Sequence, residues 1–172
     1  MNNHLNIQYT NYYLFLDTEI IYKDDFSEKL SIFMKNLKSK NLTIKVRLPK
    51  EGYLVFPDPI EILNPNVEAL SDFYQKELRH DNHNSLPICM FDYNMYDESG
   101  TWEVYVSFNQ EFAVFGCNDD VNSLFNVIFQ PYSEESLEEK YDWIKSRFAD
   151  DFSKNKFIND LESTYNFSKF VS

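Results

Sequence analysis

The sequence predicts an α+β fold: an antiparallel sheet of about five strands with helices packed on one face. Three observations carry the prediction. Residues 101–117, TWEVYVSFNQEFAVFGC, alternate in character on either side of Asn109-Gln110, which reads as two strands joined by a tight turn. If Phe108 pairs with Glu111, then Val106 faces Ala113, Val104 faces Phe115 and Trp102 faces Cys117, so one side of the hairpin is continuously apolar and needs a lid. Elsewhere apolar residues recur at helical spacing, as in Phe26, Leu30, Phe33 and Leu37. Strands linked by hairpins, with helices between and after them, are the pattern of an antiparallel sheet with segregated helices.

Taken in order, residues 1–10 are polar and read as a frayed end. Residues 12–16 form a short apolar run, read as a strand. Asp24 and Asp25 open the helix that buries Phe26, Leu30, Phe33 and Leu37, and Lys35, Lys38 and Lys40 suit its negative end. Residues 41–48 place Leu42, Ile44, Val46 and Leu48 on one side, as a strand that Pro49 stops. A second strand is expected at 52–56. Pro57, Pro59 and Pro65 mark an irregular crossing. Asn66 is a candidate N-cap for a helix reaching about residue 80, with Val67, Leu70, Phe73 and Tyr74 inward. A strand is expected at 86–91, then an acidic loop at 92–100. After the hairpin, residues 118–120 cap a short helix with Val121, Leu124, Phe125 and Ile128 inward, ended by Pro131. Ser136 and Glu139 fit a capping box for the next helix. A last helix at 151–165 buries Phe157, Ile158, Leu161 and Tyr165. The expectation is one domain over residues 1–172, helical from about residue 120 onward.

Composition narrows the function. The chain has 172 residues, 43% of them apolar and 17% aromatic, which excludes a disordered chain. Its formal charge is −12, which disfavours nucleic acid and anionic lipid and favours a basic partner. The charge is uneven: twelve carboxylates lie between Glu51 and Gly116 against only Lys76 and Arg79. Three glycines are too few and too scattered for a phosphate-cradling loop. Cys89 and Cys117 fall in apolar strand-like runs and read as buried, reduced thiols. Asp17 and Glu19 interrupt the first apolar run, so neither a signal peptide nor a membrane span is expected, and a cytoplasmic location is the default.

Catalytic patterns are thin. Glu77 and His80 share a helix face and His83 follows in a loop, which makes a small metal-dependent or acid–base hydrolase the alternative reading. A calcium loop starting at Asp92 fails because Asp97 stands where the sharp turn needs Gly. No nucleophile elbow or zinc-protease motif occurs. No catalytic residue, metal or cofactor is therefore assigned. Asp92, Tyr93, Tyr96, Asp97, Glu98, Glu103 and Tyr105 mix carboxylates with aromatics, the make-up of a patch that meets a basic protein.

A small, acidic, glycine-poor α+β chain without a catalytic motif resembles, in general character, the immunity proteins that accompany bacterial polymorphic and contact-dependent toxins. That resemblance implies a stoichiometric inhibitor in the cytoplasm. Its acidic surface would plug the basic cleft of a nuclease-type toxin. The resemblance carries over no site residues; the carboxylates expected at that surface, of the 92–105 region joined by the acidic stretch 134–142, are read from the residues themselves.

Overall fold

The hairpin forms with the expected register. In a computed structural model, Trp102 stands opposite Cys117, Val104 opposite Phe115 and Val106 opposite Ala113. The structure describes residues 5–15, 21–47, 59–79, 91–107, 111–131, 150–165 and 169–171. In chain order the described elements are β1 (Asn11–Phe15), α1 (Asp24–Leu37), β2 (Asn41–Val46), β3 (Ile60–Leu63), α2 (Val67–Arg79), β4 (Tyr93–Tyr96), β5 (Trp102–Ser107), β6 (Phe112–Cys117), α3 (Asp119–Phe129), α4 (Asp151–Tyr165) and β7 (Lys169–Val171).

The strands form one sheet in the order β3-β2-β4-β5-β6-β1-β7. Six of them are mutually antiparallel, and the short β7 joins the margin parallel to β1. The α+β class stands, with a wider sheet than the expected five strands. All six residues of β5 and all six of β6 are buried. A central strand buried on both faces needs cover on both faces.

Side-chain alternation divides the core in two. Tyr13, Phe15, Leu42, Ile44, Tyr93, Met95, Trp102, Val104, Phe115 and Cys117 point to the first face and pack with residues of α1, α2 and α3. Phe33 of α1 sits at its centre, with ring centroids 5.6 Å from Trp102, 5.7 Å from Phe115 and 6.0 Å from Phe129. Leu14, Tyr105, Phe112 and Val114 point to the second face and pack with Phe157, Leu161 and Tyr165 of α4 and with Leu5 and Tyr9. Three of the four described helices thus share the expected face, and α4 covers the other. The reason is in β5 and β6: Tyr105, Phe112 and Val114 are too apolar to face water.

Local chemistry explains the element ends. The Asn66 side-chain oxygen accepts the Ala69 N–H at 2.8 Å and caps α2 as expected. Lys38 takes a left-handed conformation after α1, and Ser39 N–H returns to the Met34 carbonyl at 3.0 Å. Three expectations need correction. The segment read as an acidic loop contains β4, because Tyr93 and Met95 alternate inward while Asn94 finds polar partners that disguise the pattern. The presumed irregular crossing contains β3, whose Ile60 and Ile62 pack on the first core; prolines are tolerated beside an edge strand. The N-terminal segment is not frayed from residue 5 onward, since Leu5 and Tyr9 are both buried. The strand expected at 52–56, most of the one at 86–91 and the helix begun by Ser136 lie outside the described residues.

Truncating the central ring checks this arrangement. Phe33→Ala should lower unfolding free energy by about 3–5 kcal/mol. Phe152→Ala, at a side chain 79% exposed, should change it by less than about 0.5 kcal/mol. Urea denaturation of both variants measures the contrast.

Candidate functional site

The second sheet face holds a buried carboxylate roofed by the N-terminal segment. Glu103 shares its side of β5 with Tyr105 and Ser107, and it stands opposite Tyr96 on one flank and Gly116 on the other. Gly116 leaves a notch. A Cβ there would lie 2.6 Å from Cδ2 of Tyr9 and 2.7 Å from Cδ1 of Leu5, so only glycine lets residues 5–9 lie this close. Leu5 and Tyr9 fill the notch, and Asn6 between them reaches the carboxylate.

Glu103 is 1% exposed. Its Oε2 accepts the Asn6 backbone N–H at 2.8 Å. Its Oε1 accepts the Asn6 side-chain amide at 2.6 Å and that of Asn94 at 2.8 Å. Asn94 in turn accepts Nε of Arg47 at 2.6 Å, and the Arg47 guanidinium lies 5.4 Å from the Tyr105 ring centroid. The Tyr105 hydroxyl donates to Asp92 at 2.6 Å, and Ser107 donates to the other Asp92 oxygen at 3.2 Å. Residues of β4 and β5, the chain just after β2 and just before β4, and the N-terminal segment therefore meet in one polar network.

Burial raises the Glu103 pKa above the ordinary carboxylate range. The Asn6 N–H, Asn94, Arg47 and Tyr9 oppose the shift without cancelling it. Burial also raises the phenols of Tyr9 and Tyr105, helped at Tyr9 by the Glu103 charge and at Tyr105 by the bond to Asp92. Closed from solvent, Glu103 does not reach a substrate in this conformation. It holds the N-terminal segment on the sheet and binds a proton more tightly than a free carboxylate does.

The seven residues expected to form an outward patch are not one surface. Asp92, Glu103 and Tyr105 meet in the internal network, with Tyr96 half-buried beside Glu103. Tyr93 is buried on the opposite face, where its hydroxyl donates to that of Tyr22 at 3.1 Å. Asp97 is 3% exposed and accepts the hydroxyls of Ser39 and Ser99 and the Ser99 N–H. Only Glu98 is fully exposed; it accepts the Lys40 N–H at 2.8 Å, and that bond lowers its pKa. The physical reason is that β4 and β5 are interior strands, so their polar side chains had to be satisfied internally. Sequence reading missed Asn6, Tyr9, Arg47 and Asn94. The available signal was Glu103 itself, placed on the same side of the hairpin as Tyr105, Phe112 and Val114.

The other chemical candidates do not assemble. Among the described residues no group of three or more His, Cys, Asp and Glu is placed to hold a metal ion. His80, His83 and the side chain of Glu77 lie outside the described residues, as does Cys89. Cys117 is buried, and burial pushes its thiol up to about 12, which makes it a poor nucleophile. No described helix is long and apolar enough to cross a membrane.

The chain matches no protein-family model, no curated protein and no solved structure. The functional reading therefore rests on this geometry and on charge.

The raised Glu103 pKa has a definite consequence for stability. The folded protein holds this proton more tightly than the unfolded chain, so the Glu103 contribution to stability grows as pH falls through the folded value, and the gain is complete below the unfolded one. Wild type should therefore gain stability between neutral and mildly acidic pH relative to Glu103→Gln, which cannot titrate. Urea midpoints of the two proteins across that range give the difference; parallel curves would contradict the assignment.

Proposed function

We propose that this protein is an acidic binding module for a basic protein, and specifically an immunity protein that neutralises a toxin by covering its basic active-site cleft. The formal charge of −12 supports the reading, together with where the exposed carboxylates stand. Asp24, Asp25 and Glu28 of α1, Glu61 of β3, and Glu68 and Asp72 of α2 are all exposed. α1 also carries Lys29 and Lys35, with Lys23 just before it, and Lys29 is paired with Asp25 at 2.9 Å. Ser71 donates to Asp24 at 3.3 Å, which ties the start of α1 to the acidic side of α2. The carboxylates of residues 92–105 are mostly engaged inside, so the surface proposed for recognition is the α1–α2 side of the molecule. The acidic stretch 134–142 lies outside the described residues.

Carboxylates at the rim of such a surface act chiefly on encounter. The partner to test is the product of the gene beside this one, assayed as a basic toxin domain. A stoichiometric complex that abolishes its activity is expected, with association slowing as salt rises. Glu68→Lys with Asp72→Lys should slow association about tenfold at low salt and leave dissociation nearly unchanged. Asp97→Lys should instead destabilise the fold, because its carboxylate is internal. Stopped-flow kinetics separates these effects. Salt-independent association, or no complex with the neighbouring gene product, would overturn the reading.

A further inference from the structure

Among the described residues β3 is the margin of the sheet, and the direction of its backbone groups follows from one hydrogen bond. Asn64 N–H donates to the Lys40 carbonyl at 2.7 Å. Leu42 stands opposite Ile62 and Ile44 opposite Ile60. Antiparallel pairs alternate between bonded and non-bonded, so a bonded pair at 40 and 64 makes 42/62 and 44/60 the bonded pairs. The N–H and C=O groups of Glu61 and Leu63 then point away from β2, to the side where the sheet has no further strand among the described residues. Both residues are exposed, Leu63 at 69%.

The surroundings select the occupant. Val67, at the start of α2, is a second exposed apolar side chain, 40% accessible and four residues beyond Leu63. Leu70 and Phe73 of α2 pack in the same core as Ile60 and Ile62, and α1 lies between α2 and α3. That order places α2 over the β3 margin. Glu61, on the face away from α2, and Glu68 and Asp72, on α2, are exposed carboxylates at this margin and outnumber the exposed Lys40 and Lys45 beside β3. A second copy of the chain would bring another −12 against it and is repelled. Pro59 and Pro65 bracket β3 and restrict the ladder to a few residues, which discourages open-ended sheet growth.

We propose that the β3 edge binds an extended basic segment of the partner by strand addition. The outward N–H and C=O groups of Glu61 and Leu63 supply the ladder. Glu61 and Leu63 alternate with the inward Ile60 and Ile62, so on the face away from α2 Leu63 takes an apolar side chain and Glu61 a lysine or arginine, while on the α2 face Val67 and the carboxylates of Glu68 and Asp72 do the same. This rests on the basic-partner reading above and adds where and how that partner is held.

The test uses the full chain and a short peptide alternating lysine and valine, with a glutamate–valine peptide as control. Amide exchange and resonance shifts are followed residue by residue. The lysine peptide should protect the Glu61 and Leu63 amides, and the control should not. Leu63→Pro removes an outward N–H without taking a bond from the β2 ladder, and it should weaken peptide binding about tenfold or more. Glu61→Lys, which leaves the backbone intact, should do the same should the proline variant fail to fold. Protection of 61 and 63 without neutralisation of any activity of the neighbouring gene product would leave this site standing and remove the inhibitor reading. Neutralisation with a footprint away from β3 would do the reverse. Protection of these amides by self-association, without peptide, would overturn the proposal by assigning the edge to a second copy.

Discussion

The pairing of β5 with β6 is the constraint on which the rest of the structure depends. Its register puts Trp102, Val104, Phe115 and Cys117 on one side and Tyr105, Phe112 and Val114 on the other. Both sides are apolar, so neither can be left to water. The first is closed by α1 and α3, through Phe33, Phe125 and Phe129. The second is closed by α4 and by the N-terminal segment. Two cores on one sheet follow from one hairpin, because side chains alternate and both sets are large.

The same constraint decides the fate of the polar residues on these strands. Glu103 lies beneath the N-terminal segment with no access to water. It is held by Asn6 and Asn94, and Gly116 opposite it supplies the space that makes the roof possible. Removing the glycine notch or the carboxylate would affect the same contact from two directions. Burying a carboxylate is costly in an apolar setting, and three donors offset part of that cost here. The arrangement is a clasp between the start of the chain and its central strands, not an open reaction site.

Much of this architecture was legible. The hairpin register, the inward face of α1, the Asn66 cap and the inward residues of α3 and α4 all follow from periodicity and turn chemistry. What was not legible has a common cause: polar residues satisfied internally look like surface residues in a sequence. Asn94 and Asp97 made β4 resemble an acidic loop. Glu103 was read as outward-facing because carboxylates usually are. Leu5 and Tyr9 were missed because their burial depends on a glycine 107 residues beyond Tyr9, a long-range fit with no local signature. The residues expected outward that lie inward, Tyr93, Asp97, Glu103 and Tyr105, fall in or beside the interior strands, where β4 also had no clear sequence pattern. Exposed charge remains on α1, β3 and α2, and recognition of a basic partner is placed there by proposal.

Native-state amide hydrogen exchange on the central hairpin tests the account most directly. If β5 and β6 are sealed on both faces, the amides of residues 102–107 and 112–117 engaged in the ladder should be the slowest in the protein, opening only with global unfolding. Exchange there faster than in α1 would mean that one face is open, and the two-core arrangement, the roof over Glu103 and the burial of Tyr93, Glu103 and Tyr105 would all be contradicted together.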